Sequence, residues 1–411
     1  MISRTLAADL PWHVGAHVRV AGWVHRRRRL KSVTFLVIRD RSGTAQVVLR
    51  SGVVSPSEET VVEVHATVTA NPRAPGGVEL TDASLTALSE PASPPPFDLY
   101  RPAVSASLPT ILDHAPVALR HPLLKARFAV SAAAVAGFRS TLDGLGFTET
   151  HTPKIVSSAT ESGANVFGID YFGRRAYLAQ SPQFFKQALV GVFERVYEVG
   201  PVFRAEPHDT ARHLAQYTSL DAELGFIEDH HDVMAVLREV LAGMAGSVAS
   251  LGVAVPEVPA EIPEIHFADA QELLGKDEPD LAPADERWLS DWALREHGSE
   301  FLFVTGYPMA KRPFYTHPDP ARPAYSNSFD LLFRGLELVT GGQRLHRHAD
   351  YVAALGDDVE DYRDYLAVFA HGMPPHGGFA LGLERWTARL LGVANIREVT
   401  LFPRDLHRLT P

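Results

Sequence analysis

VYEVGPVFRAEPHDTARHLAQYTSLDAELGFI, Val196 to Ile227, decides how this chain is read. Its two ends are apolar and β-branched, the pattern of strands. Its middle, Phe203 to His213, packs two arginines, two histidines, a glutamate and an aspartate into eleven residues. A solvated hairpin tip would account for that charge if the stretch stood alone. Strand side chains alternate with period two, so Arg204 and Glu206 are expected on one face. An arginine can hold a phosphate with two parallel hydrogen bonds. A glutamate can accept from an exocyclic amine, and His208, Arg212 and His213 add donors in the loop.

Two more segments give that face company. YSNSFDLLFRGLELVTGGQRLH, Tyr325 to His346, sets Asp330 and Glu337 in an apolar strand pattern, read as one strand over 328–340. Carboxylates are costly to bury there unless paired or bound to a cation. All-oxygen ligands beside phosphates suit Mg²⁺. GGFALGLERW, Gly377 to Trp386, runs a glycine-rich strand into a helix whose first turn carries Glu384 and Arg385. A helix start already favours an anion, and the arginine adds to that field. No GxxxxGK[ST] and no strand–GxGxxG–helix unit occurs, so both common nucleotide loops are missing. The three segments together point to an ATP site of another type.

The rest of the chain sets the frame. It has 411 residues, 45% hydrophobic and 21% charged, and no cysteine, which excludes a disulfide framework and thiolate metal sites. No apolar run reaches the ~18–20 residues of a membrane span, and the amino-terminal MISRTLAADLPWH has no signal-peptide core. A cytoplasmic protein with no membrane partner is the expectation. Net charge is −10, yet residues 1–96 carry 11 Lys/Arg against 8 Asp/Glu. A basic part on an acidic body permits local contact with a polyanion.

Residues 1–90 read as an all-β domain of five short strands, the size of an oligonucleotide-binding (OB-fold) barrel, with RSG as a hairpin turn. The proline-rich 91–120 reads as a linker. Residues 121–411 read as α+β, with helices expected over 183–193, 231–251, 358–370 and 383–392. Strands are expected over 195–203, 217–227, 301–306 and 376–382. The segment 229–300 is insertion-like.

These segments resemble motifs of class II aminoacyl-tRNA synthetases, in the subclass of the aspartyl, asparaginyl and lysyl enzymes. The opening stretch is similar to their motif 2, and GGFALGLERWTARLLGVANIREVTLFPRD to motif 3. The helix before FTETHTPKI, with Pro153, is similar to motif 1, which implies a homodimer. The barrel resembles the family's anticodon-binding domain. The resemblance implies an OB-fold barrel joined to a catalytic domain built on an antiparallel sheet, with ATP as substrate and Mg²⁺. It implies Arg204 and Arg385 as catalytic, and Glu206, Arg212, His213, Tyr217 and Glu337 around ATP. Asp330 and Glu337 are implied as metal ligands.

For the amino acid, the resemblance places Lys186, Arg344 and Gln183 around a carboxylate side chain, and Glu161 and Asp221 around the α-ammonium. That pattern favours L-aspartate. For tRNA, Phe35, Gln46 and Glu79 match anticodon contacts, and Arg26 to Lys31 would touch backbone phosphate. The compact motif 2 loop is similar to archaeal-type aspartyl enzymes. His25 in GWVHR and Pro75 in NPRAPGG match the kind that charges both tRNA-Asp and tRNA-Asn, whose product on tRNA-Asn passes to an amidotransferase. The alternatives are a tRNA-Asp-specific enzyme, an asparaginyl enzyme, a free asparagine synthetase, and an RNA-binding protein with an inactive synthetase domain. A histidine-based metal hydrolase is the last, and no HExxH spacing supports it.

Overall fold

The computed structural model describes residues 3–50, 55–158 and 166–411. Contacts divide it into two compact units, Met1–Lys125 and Ala126–Pro411.

In the first unit, β1 (His17–Arg29), β2 (Val33–Arg39), β3 (Thr44–Arg50), β4 (Val61–Ala70) and β5 (Val78–Ala87) close a barrel in the order β1-β2-β3-β5-β4. Alternation drives it. Val18, Val20, Leu36, Ile38, Val47, Leu49, Val62, Val64 and Leu80 are buried inside, while the residues between them face outward. The RSG turn is fixed by Asp40, whose carboxylate accepts from the amides of Ser42 (2.8 Å) and Gly43 (3.1 Å). β1 runs on to Arg29, past the end read from sequence, with a bulge between Val24 and Arg26. Residues 91–107 carry no helix or strand.

The second unit is built on an eight-stranded sheet. Its strands in chain order are β6 (Thr148–Glu149), β10 (Arg195–Phe203), β11 (Gln216–Gly225), β12 (Glu264–His266), β13 (Phe301–Thr305), β14 (Ser328–Phe333), β15 (Leu336–Gln343) and β16 (His376–Gly382). The spatial order is β12-β13-β14-β15-β16-β11-β10-β6, antiparallel except for the edge pairs β12–β13 and β10–β6. β7 (Ile155–Val156), β8 (Gly168–Tyr171) and β9 (Arg174–Leu178) form a small separate sheet. The helices Pro122–Gly144 and His230–Ala249 bury Phe138, Leu142, Leu237 and Leu241 in the same core as Phe329, Phe379 and Trp386.

Two expectations change. The single strand 328–340 is a hairpin. It reverses at Arg334 (φ 47) and Gly335 (φ 77), two consecutive left-handed residues that suit the tight turn of twisted strands. FTETHTPKI pairs only at Thr148–Glu149 and Ile155–Val156, because Pro153 has no amide to continue the ladder. The helices start and stop within about two residues of their expected ends, except 358–370. There a 3₁₀ stretch, Gly356–Tyr362, precedes the α-helix Arg363–Phe369.

Candidate active site

The β10–β11 hairpin and the β14–β15–β16 run line one cavity of about 320 Å³. β10 ends at Phe203, so Arg204 and Glu206 lie just beyond the strand. The Arg204 amide still donates to Ala215 (2.9 Å), which keeps the loop mouth closed. Both side chains line the cavity, and their charges sit 3.8 Å apart. Arg204 also lies over the Tyr217 ring, 5.6 Å from its centroid. The loop tip is anchored from outside by Arg397, which donates to Asp209 (2.7 Å) and the Thr210 carbonyl (3.1 Å). His213 pairs with the Thr210 hydroxyl at 2.6 Å. Burial and the nearby Arg385 hold His213 below the ordinary imidazole range, against the pull of Glu206.

Opposite this loop, β16 feeds the helix Leu383–Leu391. Arg385 in its first turn donates to the Glu337 carbonyl at 3.0 Å and lies 3.4 Å from its carboxylate. Glu384 points back to β11, accepting from the Thr218 amide at 3.0 and 3.1 Å. Burial pushes its carboxyl up to about 7, only partly offset by that amide. Arg212, His213, Arg385 and Glu337 thus gather at one end of the cavity.

The other end is a buried charge cluster. Lys186, in the helix Gln183–Phe193, donates to Asp221 (3.0 Å) and to the Phe379 carbonyl (3.2 Å). Glu223, fully buried, accepts from Arg344 Nε at 2.9 Å and stands 3.3 Å from the Lys186 ammonium. Burial alone would raise the Glu223 carboxyl, but Arg344 and Lys186 hold it below the usual range. Gln183 is buried beside them, and its Nε2 has no hydrogen-bond partner among the described residues. Asp221, expected at the substrate ammonium, pairs with Lys186 and accepts from the Ser219 hydroxyl. Residues 219, 221 and 223 share one face of β11, where Asp221 and Glu223 both face Lys186 and Ser219 donates to Asp221. Glu161 lies outside the described residues.

The paired carboxylates behave differently from each other. Glu337 lines the cavity, with the Thr340 hydroxyl 3.3 Å away. Asp330 does not line it. It is buried and bound to Arg312 at 3.0 Å, and burial still pushes it up to about 6 against that arginine. Asp330 sits opposite Thr340 in the β14–β15 register. The cavity therefore offers a hard-oxygen pair in Glu337 and Thr340, while Asp330 stands behind them as the counter-charge of Arg312. Elsewhere among the described residues, Asp229, His230 and His231 bring ligand atoms within 4.8 Å of one another. His231 is already spanned by Asp229 at 3.0 Å and Glu264 at 3.5 Å, the geometry of an ion-paired imidazolium.

Sequence reading missed Glu223, Thr340, Arg312 and Glu286. Glu223 had a usable signal, two residues along the strand from Asp221, whereas Thr340 is three from Glu337 and joins its face only through the register irregularity between Leu331 and Leu332. Arg312 and Glu286 lie in segments with no strand pattern, and only folding brings them to the cavity.

On the barrel, Phe35 stands between Arg28 and Val48 in register on the outer face, and Gln46 faces Glu79. Glu79 accepts from Gln46 (3.0 Å) and from Asn71 (2.8 Å). Pro75 is exposed in the β4–β5 connection. His25 is the exception. It is buried at the bulge, with its ring nitrogen 2.8 Å from Arg39, which also pairs with Glu59 at 3.0 Å. In the basic run, Arg27 and Arg29 bond to Ser55, leaving Arg26 and Arg28 exposed.

An antiparallel sheet flooring an arginine-lined cavity, fed by a strand–loop–strand and a strand–helix junction, defines a catalytic unit of the class II synthetase type. The chain belongs to the family of class II tRNA synthetases (D, K and N), which matches residues 107–406, and an OB-fold nucleic acid binding domain matches residues 18–88. Such enzymes use ATP as a substrate. Over its whole length the chain is 47% identical to an aspartate–tRNA(Asp/Asn) ligase of Deinococcus radiodurans, covering 99% of that protein. It is 46% identical, over 99% of its length, to all of the same-named ligase of Thermus thermophilus. Among solved structures, the asparaginyl-tRNA synthetase of Pyrococcus horikoshii complexed with asparaginyl-adenylate superposes with a TM-score of 0.92 at 31% identity, with both chains covered in full. Among the described residues, no helix is long and apolar enough to cross a membrane.

Proposed function

We propose that the chain attaches L-aspartate to tRNA through an aspartyl-adenylate, and that it serves both tRNA-Asp and tRNA-Asn. One observation carries the first half. A single cavity is lined at one end by Lys186 and Arg344 and at the other by Arg204, Arg212 and Arg385. An oxygen of the aspartate α-carboxylate attacks the α-phosphorus of ATP. The bond to the bridging oxygen breaks, and pyrophosphate leaves. A ribose hydroxyl at the tRNA 3′ end then attacks the mixed anhydride carbonyl, releasing AMP. The first step needs positioning and charge neutralisation, which an arginine-lined, partly dry site supplies, and in the second the hydroxyl proton leaves with the departing phosphate of AMP.

In this reading Arg204 neutralises the α-phosphate, Glu206 takes the adenine amine, and Tyr217 stacks on the ring. His213 and Arg385 meet the outer phosphates. Glu337 and Thr340 would hold Mg²⁺, which would supply positive charge against the phosphates. Lys186, held among Asp221, the Phe379 carbonyl and Glu223, would with Arg344 take the substrate β-carboxylate. An asparagine amide there would turn an N–H toward those cations where the carboxylate offers a second acceptor oxygen. The relatives' names, read with this pocket, favour aspartate. Fast ATP–pyrophosphate exchange with aspartate and negligible exchange with asparagine is the expected result. Equal exchange with both would remove the assignment.

For tRNA, Phe35, Gln46 and Glu79 form the anticodon face, and Pro75 replaces a bulkier discriminating group. His25 contributes differently from the expectation, through Arg39 and Glu59 inside the barrel. Charging both purified tRNAs decides the point, and a preference for tRNA-Asp of a thousandfold or more would restrict the enzyme to that substrate. We read 1–90 as the anticodon domain, 91–120 as its linker and 121–411 as the catalytic domain. Dimerisation through the Pro122–Gly144 helix and the edge strand β6 is part of the proposal, as is handover of Asp-tRNA-Asn to an amidotransferase. Light scattering gives the mass of the first, and co-sedimentation tests the second.

A further inference from the structure

The segment 229–300 sends one carboxylate to Arg212, which lines the cavity. The helix Pro283–His297 starts with Asp285 and Glu286, both largely buried. Asp285 fixes that start, accepting from the Ala282 amide (3.0 Å) and from Lys276 (2.6 Å). Leu289 and Ala293 pack the helix onto Leu302, Val304 and Leu332 of β13 and β14. Glu286 is therefore carried by an element anchored at its end and along its face. Its Oε2 accepts from Arg212 Nη2 at 2.8 Å and from the Glu337 amide at 3.1 Å. Glu337 lies beside the irregularity where the β14–β15 register slips, between Leu331 and Leu332.

Arg212 sits on an irregular loop, and its side chain has several rotatable bonds. Left alone, such a group binds a phosphate only after losing that freedom. A carboxylate on a rigid, packed helix removes the cost in advance, because a charge-assisted hydrogen bond holds one edge of the guanidinium and the planar fork fixes the rest. The same oxygen ties down the Glu337 backbone on the facing strand.

We infer that Glu286 is a positioning residue. It orients Arg212 toward the outer phosphates of ATP and couples the motif 2 loop to β15, and this is the task of the segment 229–300 at the active site. The inference rests on the ATP-site reading above.

The test is a double-mutant cycle on the full chain with Glu286→Ala, Arg212→Ala and the pair, read by ATP–pyrophosphate exchange and by calorimetric titration with ATP. Glu286→Ala should raise the KM and Kd for ATP roughly tenfold or more, the weight of one charge-assisted hydrogen bond. The KM for aspartate should stay within about twofold of wild type, which a general structural loss would not allow. The double variant should lose less than the sum of the two single losses, because Glu286 acts in part through Arg212 and in part through the Glu337 amide. Glu286→Gln keeps an acceptor oxygen in the same shape and should recover part of the affinity. It also serves if the alanine variant does not fold. Unchanged or tighter ATP binding in Glu286→Ala, additive losses in the pair, or an equal rise in the aspartate KM would overturn the inference. If wild type shows no exchange with aspartate while Glu286→Ala still loses ATP affinity, the amino-acid assignment fails and the role of Glu286 stands.

Discussion

Glu223 and Arg344 meet at 2.9 Å across a strand that separates them. Glu223 is on β11, Arg344 follows β15, and β16 runs between, with Gly378 paired to Glu223 on one side and to Gly342 on the other. The contact exists because Gly378 has no side chain. A Cβ there would stand 2.1 Å from Glu223 Oε2 and 2.1 Å from the Ala222 carbonyl. The backbone of the middle strand is thereby left open for a buried ion pair, and Arg344 also donates to the Gly378 carbonyl at 3.0 Å.

Gly378→Ala should therefore cost stability and substrate affinity together. One of the clashing atoms is backbone and cannot swing away. An overpacking loss of about 1–3 kcal/mol is expected, seen as a lower denaturation midpoint, with a raised KM for aspartate. A variant with wild-type stability and aspartate KM would show that the sheet absorbs the methyl group and that the Glu223–Arg344 pair does not depend on it.

Lys186→Ala removes the cation shared by Asp221 and Glu223, both buried. Uncompensated carboxylates left in place cost about 3–5 kcal/mol. Aspartate-dependent exchange should disappear, while ATP binding, read by titration, persists because Arg204 and Arg385 stand at the other end of the cavity. Loss of both together would mean that the two ends are not independent.

Glu384 supplies a pH dependence. Its carboxyl, pushed up to about 7 by burial, stays protonated in the folded chain where the unfolded chain has already released the proton. Its contribution is complete below the ordinary glutamate value and is lost as pH rises toward 7, because the folded state then binds more protons than the unfolded one. Glu384→Gln keeps an acceptor for the Thr218 amide and removes the titration. Wild type should lose on the order of 2–3 kcal/mol relative to this variant between pH 4.5 and 8. Parallel stability curves from chemical denaturation at several pH values would contradict this.

On the barrel, Phe35→Ala should raise the KM for tRNA by the loss of one stacked base, about 1–3 kcal/mol, and leave ATP–pyrophosphate exchange unchanged. His25→Trp and Pro75→Lys should separate. The first forces a larger ring into the buried Arg39–Glu59 pair and should destabilise the barrel by about 1–3 kcal/mol. The second changes an exposed turn and should shift the charging ratio toward tRNA-Asp with little change in melting temperature. Equal melting temperatures for both variants would refute the burial argument for His25.

Much of this was legible in the chain itself. Strand alternation placed β10, β11 and β16 and set Arg204 beside Glu206, while the resemblance to class II synthetases implied Tyr217, Glu337 and Arg385 around the same ligand. The barrel followed from the same rule. Period-two and helical patterns are local, set by which face must be buried, so sequence carries them. The Arg334–Gly335 turn escaped because its flanks are equally apolar, and periodicity marks burial without marking a reversal.

Pairing was decided only by the tertiary structure. Sequence determined that Asp330 carries charge in an apolar strand pattern and hence needs a partner, and the resemblance set Lys186, Asp221 and Arg344 around a substrate. Neither determined which partner each takes. Asp330 goes to Arg312, Asp221 to Lys186, and Arg212 to Glu286, over separations of 18, 35 and 74 residues. Those choices depend on which strands lie side by side and where a side chain is missing between them. That geometry exists only once the sheet has formed.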